Sequence, residues 1–202
     1  CENLHENEEF VKRFKEVFSS KLKEIPKKLK IDKKQKIKFI VGQDCRRQDI
    51  WRTNLYPAYK GTRGDYSEAK NPPGPFFKLV YSENLFKTIE NVDLDVLYNP
   101  SLEADDCLAI CSKEIHAMDE NAPIYIITSD TDYMQLLRPN LYLYNLKFKP
   151  VNTEKNSLGN PQKDLLYKII IGDKSDNIPS VFPKCGPKKT LNYINNIDLF
   201  ES

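Results

Sequence analysis

No run in this 202-residue chain approaches the roughly 20 consecutive apolar residues of a membrane-crossing helix, so no membrane partner is expected. No secretory signal is visible at the start. The chain opens on Cys1 rather than Met, and an N-terminal piece is expected to precede it. The five cysteines, Cys1, Cys45, Cys107, Cys111 and Cys185, are odd in number and form no Cys-x-x-Cys pair. That argues against a disulfide framework and for an intracellular, reducing compartment. Cys107 and Cys111 fall on a predicted helix and read as small buried hydrophobes rather than ligands. Histidine is scarce: His5 and His116 are solitary, and neither receives a catalytic role.

Carboxylates, by contrast, are concentrated. Glu103-Ala104-Asp105-Asp106, Ser129-Asp130-Thr131-Asp132 and Gly172-Asp173-Lys174-Ser175-Asp176-Asn177 form three acidic clusters, each beside an apolar segment. Gathered in one pocket, their seven carboxylates would repel one another and disfavour ionisation. Divalent cations relieve that repulsion. A site of carboxylates without Cys or His suits hard ions such as Mg²⁺ or Mn²⁺.

The net charge of +2 hides segregation. Eleven lysines and Arg13 lie between residues 12 and 38. A second basic stretch holds Arg46, Arg47, Arg52, Lys60 and Arg63, and a third holds Lys184, Lys188 and Lys189. Basic stretches beside acidic clusters suit a protein that holds a polyanion around a metal site. For residues 12–38 the plainer alternative is a solvated helix face and its exit loop.

Apolar spacing at Phe10, Val11, Phe14, Val17, Phe18 and Leu22 predicts a helix over 8–24. Strands are predicted at 37–41, 95–98, 124–128 and 141–146, and helices at 76–89, 104–118 and 164–171. Residues 52–75 and 150–163 read as loops, rich in Gly, Pro and Asn. Alternating strands and helices argue for an α/β domain with a largely parallel sheet. In such sheets, sites form outside the carboxyl ends of the strands. Asp44, Glu103 and Asp130 each follow a predicted strand within a few residues, so they are expected on one edge.

Each cluster also has a plainer reading. Glu103, Asp105 and Asp106 suit a helix N-terminus through its dipole, although three acids in four residues exceed what a cap needs. Asp130 and Asp132, or Asp173 and Asp176, suit turns. Their joint occurrence on one predicted edge favours a metal site. Gly186-Pro187-Lys188-Lys189 opens an apolar-spaced stretch, and backbone N–H groups with two lysines make a phosphate cradle there. Tyr56-Pro57-Ala58-Tyr59-Lys60-Gly61-Thr62-Arg63 mixes aromatics and cations that could stack bases and clamp phosphates.

Taken in this order, the three acidic clusters followed by a Gly-Pro-Lys turn resemble the flap endonuclease and 5′–3′ exonuclease superfamily, in phage-type style. Asp44, Arg47, Trp51-Arg52 and the Tyr56–Arg63 segment resemble that family's second acidic strand end and the start of its helical arch. The likeness runs from about Ile37 to Asn195. It implies a PIN-like (resolvase-like) core over 1–171, an arch at about 60–90 that passes a 5′ single strand, and a helix–three-turn–helix over 172–202 that grips duplex DNA. It implies two Mg²⁺ or Mn²⁺ ions, one on Asp44, Glu103 and Asp105 and one on Asp130, Asp132 and Asp173. Asp106 and Asp176 are then outer or shared ligands. Lys60 and Arg63 match the cations that contact the scissile phosphate, while Arg47, Arg52, Tyr59, Gly186, Lys188 and Lys189 match DNA-contacting positions. DNA with a 5′ flap or end, or an RNA/DNA hybrid, is the implied partner of a monomer, and a K⁺ ion at the hairpin is compatible with it.

The pattern departs from the family in three ways, one being that members usually continue beyond the hairpin helix whereas this sequence stops at Ser202. Nothing before Phe10 reads as the family's first strand with its further Asp ligand. The Val181–Gly186 segment is one residue longer than the usual Val-x-Gly-Ile-Gly hairpin and lacks its first glycine. The expected reaction is two-metal phosphodiester hydrolysis leaving a 5′-phosphate and a 3′-hydroxyl. Two rivals remain open. One is a DNA-structure-binding module without turnover. The other is an aspartate-nucleophile phosphatase, although Met134 stands where that family expects Thr or Val.

Overall fold

Asn7 starts the first helix: its side chain accepts a hydrogen bond from the Phe10 N–H at 2.8 Å. Glu8 and Glu9 in the first turn and Lys27 and Lys28 in the last complement the dipole of α1, Glu8–Lys28. The helix therefore runs past the expected residue 24 and through Pro26. Proline removes one N–H, yet the Leu29 N–H to Ile25 and the Ile31 N–H to Pro26, both 2.9 Å, still close the last turn. The computed structural model describes residues 4–64, 73–82, 85–88 and 92–196. By its contacts the chain divides into two compact units, residues 1–43 with 64–98 and residues 44–63 with 99–202.

In the first unit, β1 (Phe39–Gln43) and β2 (Leu94–Tyr98) pair in parallel, Phe39 opposite Leu94. α1 lays Phe14, Phe18 and Leu22 against Phe76, Val80, Phe86 and Leu94. Fully burying such a side chain contributes about 1.5–3 kcal/mol. The expected helix over 76–89 is instead α3, Pro73–Ser82, followed by a 3₁₀ turn at Leu85–Thr88. Proline starts α3 because the first helical N–H has no intrahelical partner to lose. The expected arch at about 60–90 includes residues 65–72, 83–84 and 89–91, which lie outside the described residues.

In the second unit, α2 (Trp51–Leu55) replaces part of the expected loop. α4 occupies Ala104–Met118, as its caps and spacing predict. β3 (Ile124–Ile127) and β4 (Leu141–Tyr144) pair in parallel, joined through a 3₁₀ stretch at Thr131–Leu136. β4 stops short of the expected Leu146 because Asn145 turns the chain, accepting the Lys147 N–H at 2.9 Å. α5 begins at Pro161 rather than 164, capped by the Asn160 side chain on the Gln162 and Lys163 N–H groups at 3.0 Å. α6, Pro187–Asn195, packs Ile194 with Ile170 and Cys185. Both sheets are parallel, as alternating strands and helices predict, and each has two strands among the described residues.

Candidate functional site

The N-terminus of α4 is lined with acids. Glu103 and Asp106 form a reciprocal capping box. Asp44 accepts the Ala104 N–H at 2.8 Å, and Asp105 accepts the Asp106 N–H at 2.8 Å. The capping reading of these acids is thus correct as far as it goes. Each carboxylate nevertheless keeps acceptor capacity, and one oxygen from each of Glu103, Asp105 and Asp106 lies within 4.8 Å of the others.

The loop after α2 supplies counter-charge. Arg52 donates two bonds to Asp106, at 2.6 and 2.7 Å, and one to Glu103 at 3.2 Å. Trp51 Nε1 adds a bond to Asp106 at 3.1 Å, and the Arg52 guanidinium lies 4.8 Å over its ring. Lys60 ion-pairs with Glu103. The Tyr59 hydroxyl stands 2.8 Å from Glu103 Oε2 and 3.1 Å from Asp176 Oδ2, so one phenol faces two carboxylates. Arg47 fixes the loop by donating to the carbonyls of Lys60 (2.7 Å) and Arg63 (3.2 Å). Arg63 reaches Asp176 at 2.6 Å, and Asn177 donates to the Ala58 carbonyl at 2.8 Å.

The last cluster sits on a tight turn after α5. Gly172 at φ +77° lets the chain double back, so that the Asp173 and Ile178 backbones bond both ways, at 2.8 and 2.7 Å. The Asp173 carboxylate accepts from the Ser175 N–H (2.7 Å) and hydroxyl (2.6 Å). Lys168 on α5 pairs with Asp173 at 2.9 Å and also with Asp132. Asp130 caps the 3₁₀ stretch after β3, accepting the Asp132 N–H at 2.9 Å.

These bonds connect the acids into one constellation. Tyr59 joins the α4 group to Asp176, Asp176 shares a turn with Asp173, and Lys168 joins Asp173 to Asp132. The charges of Asp105, Asp130, Asp44 and Asp106, after burial itself, raise the Tyr133 hydroxyl. Burial, then the Glu103 charge, lifts the Asp105 carboxyl above its ordinary range. Burial also pushes Asp106 and Asp173 up, but their hydrogen bonds win. Arg52 and Trp51 bring Asp106 below the usual value, and Ser175 and Lys168 bring Asp173 to about 2.

Among the described residues, Asp44, Asp105 and Asp130 make no ion pair, whereas Glu103, Asp106, Asp132, Asp173 and Asp176 are each held by a lysine or arginine. Tyr59, expected at a DNA-contacting position, is 7% exposed, and its hydroxyl faces Glu103 and Asp176. Arg52 and Arg47 likewise spend their guanidinium groups on the site and its loop. Gly186, Lys188 and Lys189 are exposed at the start of α6. Lys168 was missed, since one lysine on a helix carries no sequence signal of its own.

A family model described as the N-terminal, resolvase-like domain of 5′-3′ exonucleases matches residues 16–163. The chain belongs to this family. A 5′-3′ exonuclease of Buchnera aphidicola subsp. Acyrthosiphon pisum is 28% identical over 170 residues, covering 82% of this chain and 55% of its own length. A DNA polymerase I of Rhizobium leguminosarum is 31% identical over 143 residues, 68% of this chain and 13% of that protein. The chain thus spans about half the length of the 5′-3′ exonuclease it matches. In the solved structures, T5 5′-exonuclease with bound divalent zinc ions superposes at a TM-score of 0.71 with 21% identity, over 93% of this chain and 70% of that one. A T5 flap endonuclease in complex with DNA and metal ions gives 0.66 at 20% identity, over 94% and 70%. This likeness fixes the fold as the α/β fold of the 5′-3′ exonuclease family.

The donor set fits divalent ions. It is all oxygen, and oxygens bound to one hard cation lie no more than about twice the roughly 2.0–2.6 Å bond length apart. One oxygen from each of Glu103, Asp105 and Asp106 lies within 4.8 Å of the others, inside the span of the longer of these bonds, and a smaller ion with bonds of about 2.1 Å would draw the three together.

Proposed function

We propose that this chain is the nuclease core of a structure-specific 5′ nuclease, a 5′–3′ exonuclease or flap endonuclease that hydrolyses phosphodiester bonds of DNA. The observation that carries the proposal is the single constellation of eight carboxylates, tied together by Tyr59 and Lys168, in a member of the 5′-3′ exonuclease family.

Asp44, Glu103 and Asp105 would hold one Mg²⁺ or Mn²⁺ and Asp130, Asp132 and Asp173 the other, with Asp106 and Asp176 outside them. Bound there, such ions neutralise phosphate charge and supply an activated water. The chain's own residues do the rest. Arg52 and Trp51 orient Asp106 as outer partners orient ligands. Lys60 and Arg63, now on Glu103 and Asp176, would transfer to an incoming phosphate and offset its developing charge. The exposed start of α6, with free N–H groups and Lys188 and Lys189, would track a duplex backbone as part of a helix–three-turn–helix over 172–202. A K⁺ ion at that hairpin, an RNA/DNA hybrid substrate and a monomeric state belong to the same proposal. No helix among the described residues is long and apolar enough to cross a membrane.

The test is a 5′-flap duplex incubated with the full chain, with and without Mg²⁺. Cleavage only with Mg²⁺, leaving a 5′-phosphate, is expected. Asp130→Asn and Asp132→Asn should lower the rate at least a hundredfold while DNA binding survives. Full activity in both variants would refute the assignment, and binding without any cleavage by the unaltered chain would select the non-enzymatic reading.

A further inference from the structure

Between residues 27 and 36, six of ten positions are lysine and all six are exposed. Part of this charge serves the fold. Lys27 and Lys28 fill the last turn of α1, where cations offset the helix dipole, and Lys28 pairs with Glu24 at 3.4 Å. Just beyond, Lys38 is held by Asp93 at 2.5 Å and Asp95 at 2.9 Å. Lys30, Lys33, Lys34 and Lys36 are different: among the described residues none of them makes an ion pair. The one acid in the stretch, Asp32, turns its carboxylate onto the Lys34 backbone N–H at 2.9 Å. Four lysines against one aspartate leave an excess of three positive charges in seven residues.

The segment that carries them is built by its own backbone. The Ile31 N–H bonds to Pro26 at 2.9 Å, the Gln35 N–H bonds to Asp32 at 3.0 Å, and Lys30 takes a left-handed φ of 56°. Four ammonium groups that repel one another are thus displayed on one turn, and no ion pair among the described residues uses them. A polyanion would. Lysine offers point charges suited to phosphates rather than the planar fork that reads bases. A lipid surface is disfavoured, because among the described residues no large exposed hydrophobic lies between Val17 and Trp51 to enter a bilayer.

We propose that the Lys30–Lys36 turn is a sequence-independent contact for the sugar-phosphate backbone of the nucleic-acid substrate, made of none of the carboxylate-site residues. The identity of this polyanion rests on the nuclease reading above. The experiment measures binding of the full chain to a DNA duplex in EDTA across a salt series. It compares the unaltered chain with a variant carrying Lys30→Gln, Lys33→Gln, Lys34→Gln and Lys36→Gln, and with the corresponding four Lys→Arg changes. Each lost phosphate contact lowers the salt slope by about 0.9, so the Gln variant should lose about 3 to 4 from the slope. It should also bind at least tenfold more weakly at low salt, with the thermal midpoint unchanged, and the Arg variant should bind as the unaltered chain does. An unchanged slope in the Gln variant overturns the proposal. So does equal loss in the Gln and Arg variants, which would mark a structural role. Loss of binding to phosphatidylserine vesicles with DNA binding intact also overturns it, in favour of a lipid surface. Because EDTA removes cleavage from this assay, a chain that binds but never cuts would sink the nuclease reading and leave the turn standing.

Discussion

Asp105 lies among Glu103 and Asp106 and makes no ion pair among the described residues, and burial together with the Glu103 charge raises its carboxyl above the ordinary range. A raised carboxylate is one whose charged form the fold disfavours. At neutral pH Asp105 is ionised in the unfolded chain at no cost, and folding must bear the difference. The cost sets in as pH rises above the unfolded value near 4 and disappears in acid. Asp105→Asn should therefore stabilise the metal-free protein, raising the midpoint in EDTA at pH 7. The same change should erase the midpoint shift that Mn²⁺ gives the unaltered chain. A lowered midpoint with the Mn²⁺ response intact would show Asp105 to be a helix cap and nothing more. Its place in an acidic cluster was legible from sequence, because three acids stand within four positions. Tyr59 and Lys168 were not legible in their roles. Tyrosine beside lysine and arginine has the same composition whether it stacks a base or bridges two carboxylates, and only its burial separates the two.

At the scale of elements, the turn between α5 and α6 depends on Gly172. A Cβ built there would lie 2.5 Å from the Pro179 carbonyl carbon, at a φ of +77° that side chains rarely adopt. Gly172→Ala should destabilise the protein by on the order of 3 kcal/mol. It should also displace Asp173, so denaturant unfolding and Mn²⁺ affinity should both suffer. An unaffected unfolding midpoint would mean that the turn relaxes freely. The regular elements were read well where two signals agreed. α4 was placed correctly because its acids mark the start and its apolar spacing marks the length. α1 and α5 extend beyond their expected bounds through prolines whose missing N–H costs little: Pro161 at the start of α5, and Pro26 where later bonds close the last turn. β4 was extended too far because Leu146 looks like strand, whereas it is 73% exposed beyond the Asn145 turn.

The whole molecule combines the fold of its family with a strongly segregated charge distribution. The net charge of +2 is the sum of a carboxylate constellation and lysine-rich surfaces that a polyanion could satisfy. Acids from four separate parts of the sequence converge, and five of the eight are already paired with Arg52, Lys60, Arg63 and Lys168. The protein thus lowers internally a repulsion that would otherwise oppose folding without ions. Asp44, Asp105 and Asp130 remain the open acceptors through which ions would enter. The central claim is that these acids form one site for two neighbouring cations. Electron paramagnetic resonance of the full chain titrated with Mn²⁺ tests it most directly. The account predicts two bound ions with a spin-coupled spectrum, from a separation of roughly 4 Å, lost in Asp130→Asn. Mn²⁺ that binds as isolated, uncoupled ions, or is unaffected by Asp130→Asn, would contradict it.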